Sequence, residues 1–175
     1  NTLSIGRRPP SIGEHTQEII DEISRVSEKG RVTETKKTTL PLEGVKVLDF
    51  MWALAGPGAT RTLADMGATV IRVESSSRLD VIRTIRPFID SDESPEKSAL
   101  FHNTNAGKNL LSLDLTKPEG KAVALDLVRW CDVVTESFSP KAMKAFGLDY
   151  ESLLEVNSDL IMLSTCLFGQ TGPLS

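Results

Sequence analysis

A short apolar segment, a glycine-containing turn and a second apolar segment constrain the fold of this chain more than any other feature of its sequence. Residues 45–50 and 69–73 are rich in valine, isoleucine and leucine, and each segment predicts a buried strand. Between them, the Gly-Pro-Gly sequence at residues 56–58 precedes residues 59–66, which predict a helix that ends at Gly67. This succession is typical of a βαβ unit, in which the two strands are parallel.

The same alternation continues along the chain. Residues 75–98 are polar and contain two prolines, which predicts a long loop. Alternating strands and helices predict an α/β fold, a Rossmann-like, open and mostly parallel sheet with helices on both faces. The further elements that the pattern predicts are strands at residues 110–115, 132–135 and 160–164 and helices at residues 118–130, 140–146 and 150–156.

The start of the chain has a different character. Residues 13–23 place Ile19, Ile20 and Ile23 at helical spacing, with acidic residues around them. Residues 24–39 are rich in Lys, Arg, Glu, Ser and Thr and have few apolar side chains, which predicts a solvated linker.

Composition argues against several classes of protein. Of the 175 residues, 39% are hydrophobic and 25% are charged, which is typical of a soluble globular domain. The net charge of −4 argues against nucleic acid as a partner, because binding to phosphate backbones requires clustered Lys and Arg. We expect no membrane partner and a cytoplasmic location, because the sequence has neither a long apolar run nor a recognisable signal peptide.

The cysteines and histidines give no sign of a metal site. Cys131 and Cys166 each adjoin an apolar, strand-like run and are expected to be buried free thiols in a reducing compartment. Two histidines and the absence of a CxxC sequence make a zinc site unexpected.

The Gly-Pro-Gly turn partly fits a nucleotide-binding loop. A helix that begins after a strand presents N–H groups that attract phosphate, and Glu74 follows Gly56 by 18 residues, near the position of a ribose-binding acid. The third glycine of the dinucleotide fingerprint is replaced by Arg61, however, and Pro57 removes one N–H group. A nucleotide site and a ligand-free tight turn are therefore equally good interpretations of this turn.

An ordered series of motifs carries a family resemblance. The segments are residues 41–50 (PLEGVKVLDF), 55–57, 63–68, 70–74, 105–109 (NAGKN), 113–115, 118–120, 132–140, 146–150 (FGLDY) and 168–173 (FGQTGP). Together they resemble family III CoA-transferases, the group that includes formyl-CoA and carnitine CoA-transferases and the α-methylacyl-CoA racemases.

The resemblance implies an unusual domain order. Residues 9–16 (PPSIGEHT) resemble the far C-terminal end of the same family, although they precede an N-terminal part here. We therefore expect a C-terminal tail of a preceding module at 1–23, a polar linker at 24–39 and the CoA-binding part of a second module at 40–175. A permuted or engineered arrangement is the alternative.

The resemblance also implies that this part of the fold binds coenzyme A. Arg83 is the expected partner of the diphosphate, because a guanidinium can bind phosphate through two N–H groups. The arginine that often follows the second strand is displaced or lost, since Ser75 to Ser77 stand there before Arg78. Each candidate also has a structural interpretation, as a core aromatic or a surface charge. The predicted CoA-binding residues are Trp52, Ala53, Leu54, Arg83, Lys108, Phe138 and Lys144.

By the same resemblance, the expected reaction moves CoA between an acyl-CoA and a carboxylic acid acceptor through an aspartyl-CoA intermediate. The catalytic aspartate is expected beyond Ser175, and no catalytic residue is assigned within the chain. Family members form interlocked dimers, so a homodimer or self-association of tandem modules is expected. An acyl-CoA racemase, which uses a His and an Asp, and an inactive nucleotide-binding scaffold remain as alternatives.

Overall fold

The computed structural model describes residues 8–26 and 40–166. The strands are β1 (Lys46–Phe50), β2 (Thr69–Glu74), β3 (Asn109–Ser112), β4 (Val133–Glu136) and β5 (Ile161–Ser164). The helices are α1 (Thr16–Val26), α2 (Ala55–Asp65), α3 (Ala99–Asn105), α4 (Pro118–Trp130), α5 (Pro140–Phe146) and α6 (Tyr150–Leu154).

The five strands form one parallel sheet in the order β3-β2-β1-β4-β5. Because side chains alternate along a strand, Leu48 and Phe50 join the larger apolar cluster with α1 and α4, whereas Val47 packs with Val70 and α2 on the opposite face. The predicted α/β fold, with helices on both faces of a parallel sheet, is confirmed.

The first turn of α2 corrects one prediction. The helix begins at Ala55, so residues 56–58 belong to its first turn instead of preceding it. Pro57 is tolerated there because the first N–H groups of a helix have no intrahelical acceptor. Gly56 permits close packing, since a Cβ atom on it would lie 2.6 Å from the Met51 sulfur.

The polar region after β2 is more ordered than its composition suggests. Residues 81–84, 89–91 and 95–97 form short 3₁₀ turns, and α3 follows where the sequence predicted no helix. His102 therefore lies in a helix. Helix α3 forms because the Ser98 hydroxyl accepts a hydrogen bond from the Phe101 N–H group, while Phe101 itself is buried.

The N-terminal helix packs on the same domain. Ile19 is 3% exposed within the larger cluster, Ile23 packs at its edge, and the Ile12 N–H group donates to the Glu96 carboxylate at 3.3 Å. Helix α1 continues to Val26, three residues into the predicted linker, and residues 27–39 lie outside the described part. The origin of this helix in a preceding module stays a prediction.

Candidate functional site

A cavity of about 200 Å³ opens at the carboxyl ends of the strands. It lies beside the point where the chain order of the sheet reverses, between β1 and β4, which is where open α/β sheets bind ligands. Its lining residues are Phe50, Trp52, Val73, Glu74, Ser75, Ser77, Arg78, Leu113, Asp114, Leu115, Thr116, Phe138 and Phe146.

Aromatic side chains form one wall of this cavity. The rings of Trp52 and Phe138 are tilted by 55° with their centroids 6.1 Å apart, and Phe146 meets Phe138 edge-on at 6.2 Å. The Arg78 guanidinium lies over the Trp52 ring, 5.7 Å from its centroid. An aromatic wall with an exposed cation beside it suits a planar ring to which anionic groups are attached.

The polar rim completes the cavity. The hydroxyl groups of Ser75 and Ser77 are hydrogen-bonded to each other at 2.8 Å. On the other side, the Thr116 hydroxyl and N–H groups donate to the Asp114 carboxylate at 2.6 Å and 3.0 Å. These hydrogen bonds hold the pKa of Asp114 below its usual value, so this carboxylate is charged at neutral pH. The rim therefore offers a cation at one side and a carboxylate with hydroxyl groups at the other.

The structure brings only part of the predicted site together. Trp52 and Phe138 line the cavity. The predicted residues outside its lining are Ala53, Leu54, Arg83, Lys108 and Lys144. Leu54 and Lys144 are exposed on the surface, at the start of α2 and on α5, and Ala53 is half-buried.

Arg83 is enclosed in the protein. Its side chain is fully buried, and its Nε donates to both carboxylate oxygens of Glu74 at 2.9 Å and 3.1 Å. Its Nη1 contacts the Pro95 carbonyl and the Glu96 carboxylate at 3.3 Å, and the guanidinium carbon lies 3.5 Å from the centre of the Phe101 ring. A ligand diphosphate would have to compete with Glu74 for this group, so its predicted binding role remains untested.

Lys108 is held in the same interior region. Its Nζ lies within hydrogen-bonding distance of four acceptors: Asp49 at 3.0 Å, the Pro57 carbonyl at 2.9 Å, Thr60 at 2.8 Å and the Asn105 side chain at 3.0 Å. Burial lowers the pKa of Lys108 from 10.5 to about 8. This ammonium group joins β1, α2 and α3, and its role in ligand binding stays a prediction.

Arg78 lines the cavity, although it was not among the residues predicted to bind CoA. It is the fourth residue after β2, and the turn formed by residues 75–78 places its side chain over Trp52. The sequence shows Arg78 as a lone arginine after three serines. Its position over Trp52 depends on the turn, which the sequence pattern alone does not reveal.

Comparison with known proteins identifies similar sequences. The chain is 46% identical over 135 residues to succinate–glutarate CoA-transferase of Agrobacterium fabrum, covering 76% of the chain and 34% of that protein. It is 37% identical over 147 residues to human succinyl-CoA:glutarate CoA-transferase, covering 83% of the chain and 32% of that protein. The chain thus spans about a third of the length of these relatives.

A solved structure of a CAIB/BAIF family protein from Brucella suis superposes with a TM-score of 0.70 at 42% identity, covering 78% of this chain and 36% of that one. Residues 42–175 match the model of CoA-transferase family III. On the sequence match and the shared fold, the chain belongs to CoA-transferase family III.

Proposed function

We propose that the cavity binds the adenine nucleotide end of coenzyme A and that the protein transfers CoA between carboxylic acids. The observation that carries the proposal is the position of Arg78 over the Trp52 ring, with the tilted Phe138 ring beside it, at the reversal point of the sheet. An aromatic ring can stack on a purine whatever its hydrogen-bonding edge, and a neighbouring arginine attracts the phosphates. The volume of about 200 Å³ suits one end of CoA, with the remainder of the ligand outside.

The proposed transfer reaction is based on the relatives of the chain. The relatives described above are named as CoA-transferases for succinate and glutarate, which favours transfer over racemisation. In the proposed route an aspartate attacks the acyl-CoA carbonyl carbon and the CoA thiolate leaves, giving a mixed anhydride. The thiolate then attacks the aspartyl carbonyl carbon, which releases the first acid and forms an aspartyl-CoA thioester. The acceptor carboxylate attacks that thioester, and the released thiolate attacks the acceptor acyl carbon and frees the aspartate.

Asp49 is not a candidate for this nucleophile. It is fully buried, and its carboxylate accepts hydrogen bonds from the Met51 N–H group, the hydroxyl groups of Thr60 and Thr135, and the Lys108 ammonium group. A carboxylate with these partners is shielded from an acyl-CoA thioester and supports the fold instead.

Calorimetric titration of CoA into the chain tests the binding proposal. We expect saturable binding, and we expect Trp52→Ala to weaken it by about 5- to 150-fold, because stacking on a base contributes about 1–3 kcal/mol. Arg78→Ala should weaken it as well, whereas Trp52→Phe should retain most of the affinity. Arg86→Ala is a matched control, since Arg86 is an exposed arginine paired with Glu93 away from the cavity.

Competition with fragments of CoA tests which part of the ligand binds in the cavity. Adenosine 3′,5′-bisphosphate should compete with CoA for the cavity, and pantetheine should not. Equal losses of affinity in Arg78→Ala and Arg86→Ala would show a general charge effect and contradict the assignment of Arg78. No binding of CoA to the chain at millimolar concentration would contradict the proposed CoA site in this part of the protein.

A further inference from the structure

The turn between β1 and α2, residues 51–54, carries Trp52 into the cavity, and side chains from neighbouring strands and turns hold its backbone. The Asp49 carboxylate accepts from the Met51 N–H group at 3.0 Å, and Arg72 donates to the Met51 carbonyl at 2.9 Å. The Ser137 hydroxyl accepts from the Trp52 N–H group at 2.8 Å. The turn is thus bound by groups from three parallel strands or the residues directly after them.

Ala53 is the point where this turn is strained. Its φ of 64° lies in the left-handed region, which costs a residue with a Cβ atom about 1–2 kcal/mol. Both carboxylate oxygens of Asp80 accept from the Ala53 N–H group at 3.1 Å. Asp80 is fully buried, is paired with Arg72 and also caps the following 3₁₀ turn by accepting from Ile82.

We propose that Asp80 and Ser137 are positioning residues for the nucleotide cavity. Asp80 holds Ala53 in its left-handed conformation and Ser137 holds the preceding N–H group, so that the Trp52 ring is directed toward Phe138. Asp80 also follows Arg78 by two residues, so one buried carboxylate fixes both the turn below Trp52 and the segment that brings Arg78 over it. This inference rests on the proposed function for its CoA measurements, but its first measurement needs no ligand.

Fluorescence of Trp52 provides that measurement. The chain has two tryptophans, and Trp130→Phe leaves Trp52 as the single reporter. We expect Asp80→Asn and Ser137→Ala to raise the quenching of Trp52 by acrylamide by about twofold or more, because the ring leaves its contact with Phe138. Ser137→Thr keeps an acceptor oxygen and should restore the original quenching. Leu153→Ala is the control for general destabilisation, since Leu153 is fully buried in α6 and lies outside the cavity.

Affinity for CoA is the second measurement. We expect a loss of about fivefold or more in Asp80→Asn and Ser137→Ala, with no loss in Leu153→Ala. In Asp80→Asn, adding Ala53→Gly should recover part of the affinity, because glycine adopts a positive φ without strain. A purely structural role for Asp80, as the counter-ion of Arg72, predicts no such recovery.

The outcomes separate this inference from the proposed function. Absence of CoA binding in the unsubstituted chain contradicts the proposed function, while the ligand-free quenching still tests the positioning role. Unchanged Trp52 quenching in both Ser137→Ala and Asp80→Asn overturns the inference. A loss of CoA affinity without a change in quenching would mean that Ser137 contacts the ligand and does not position Trp52. If Asp80→Asn does not fold, Ser137→Ala and Ser137→Thr decide the result, since Ser137 is only half-buried.

Discussion

Replacing Arg83 with methionine removes one member of a buried ion pair and leaves the other without its main partner. Both Arg83 and Glu74 are fully buried, and the Nε group reaches both carboxylate oxygens. The contact with Glu96 contributes little, because that side chain is 42% exposed. We expect Arg83→Met to lower the free energy of unfolding by about 3–5 kcal/mol, which is the cost of leaving a buried charge unpaired.

A double substitution distinguishes the pair from the packing around it. In Glu74→Gln/Arg83→Met the uncompensated charge is absent, and the Gln side chain can still accept from the Asp80 N–H group, as Glu74 does at 2.7 Å. We expect the double variant to recover about 1–3 kcal/mol of the loss. Urea denaturation followed by far-UV circular dichroism measures these differences at pH 7. A loss below about 1 kcal/mol in Arg83→Met, or strictly additive losses, would refute the reasoning.

The same variants test whether Arg83 binds the diphosphate. Compared with Glu74→Gln alone, the folded double variant should change CoA affinity by less than about threefold, because the guanidinium is enclosed by protein groups. A loss of about tenfold or more would show that Arg83 leaves Glu74 to bind the ligand.

Further predictions concern the N-terminal helix, the buried lysine and a tight contact. Ile19→Ala should cost about 2–5 kcal/mol in urea denaturation and the exposed Ile20→Ala less than about 1; equal costs would contradict the docking of α1. The pKa of Lys108 is about 8 in the folded chain and 10.5 when unperturbed, so unfolding takes up a proton between these values. Stability should therefore rise with pH across this window by up to about 1.4 kcal/mol per unit relative to Lys108→Met, and parallel pH profiles would contradict this. Gly120→Ala should cost about 1–3 kcal/mol or more in thermal melts, since its Cβ would lie 2.2 Å from the Asp114 carbonyl oxygen; an unchanged melting temperature would contradict that contact.

Local patterns were enough to predict most of the sheet and its helices. The helix at residues 118–130 was predicted with both ends correct, because a proline marks its start and apolar residues recur at helical spacing. The helix at residues 140–146 was also predicted correctly, and Gly147, with a φ of 64°, follows its last residue. These signals lie within one element, so they need no knowledge of its neighbours.

The buried charges could not be predicted in this way. Residues such as Arg83 and Lys108 lie in polar stretches of the sequence. Charged residues in such stretches are usually predicted to be exposed on the surface. Their partners are distant in sequence or belong to another element; Lys108 pairs with Asp49 across 59 residues. Helix α3 was not predicted for the same reason. Its buried residue Phe101 packs against Arg83, and this contact between distant residues is visible only in the folded structure.

The backbone of the cavity residues is joined to a buried network of charged side chains. The side chain of Asn105 accepts from both Lys108 and Arg72, Arg72 pairs with Asp80, and the Asp80 N–H group donates to Glu74, which pairs with Arg83. Lys108 pairs in turn with Asp49, so the three bases of this network are balanced by three acids, which avoids the cost of a lone buried charge.

Because its members share partners, removing one alters the surroundings of the next, and paired substitutions should give non-additive losses. The two ends of the network that face the cavity are the turn at residues 51–54 and the segment at residues 75–80. A change deep in the network is therefore expected to reach Trp52 and Arg78 through the backbone, whereas an equally destabilising change in α6 is not.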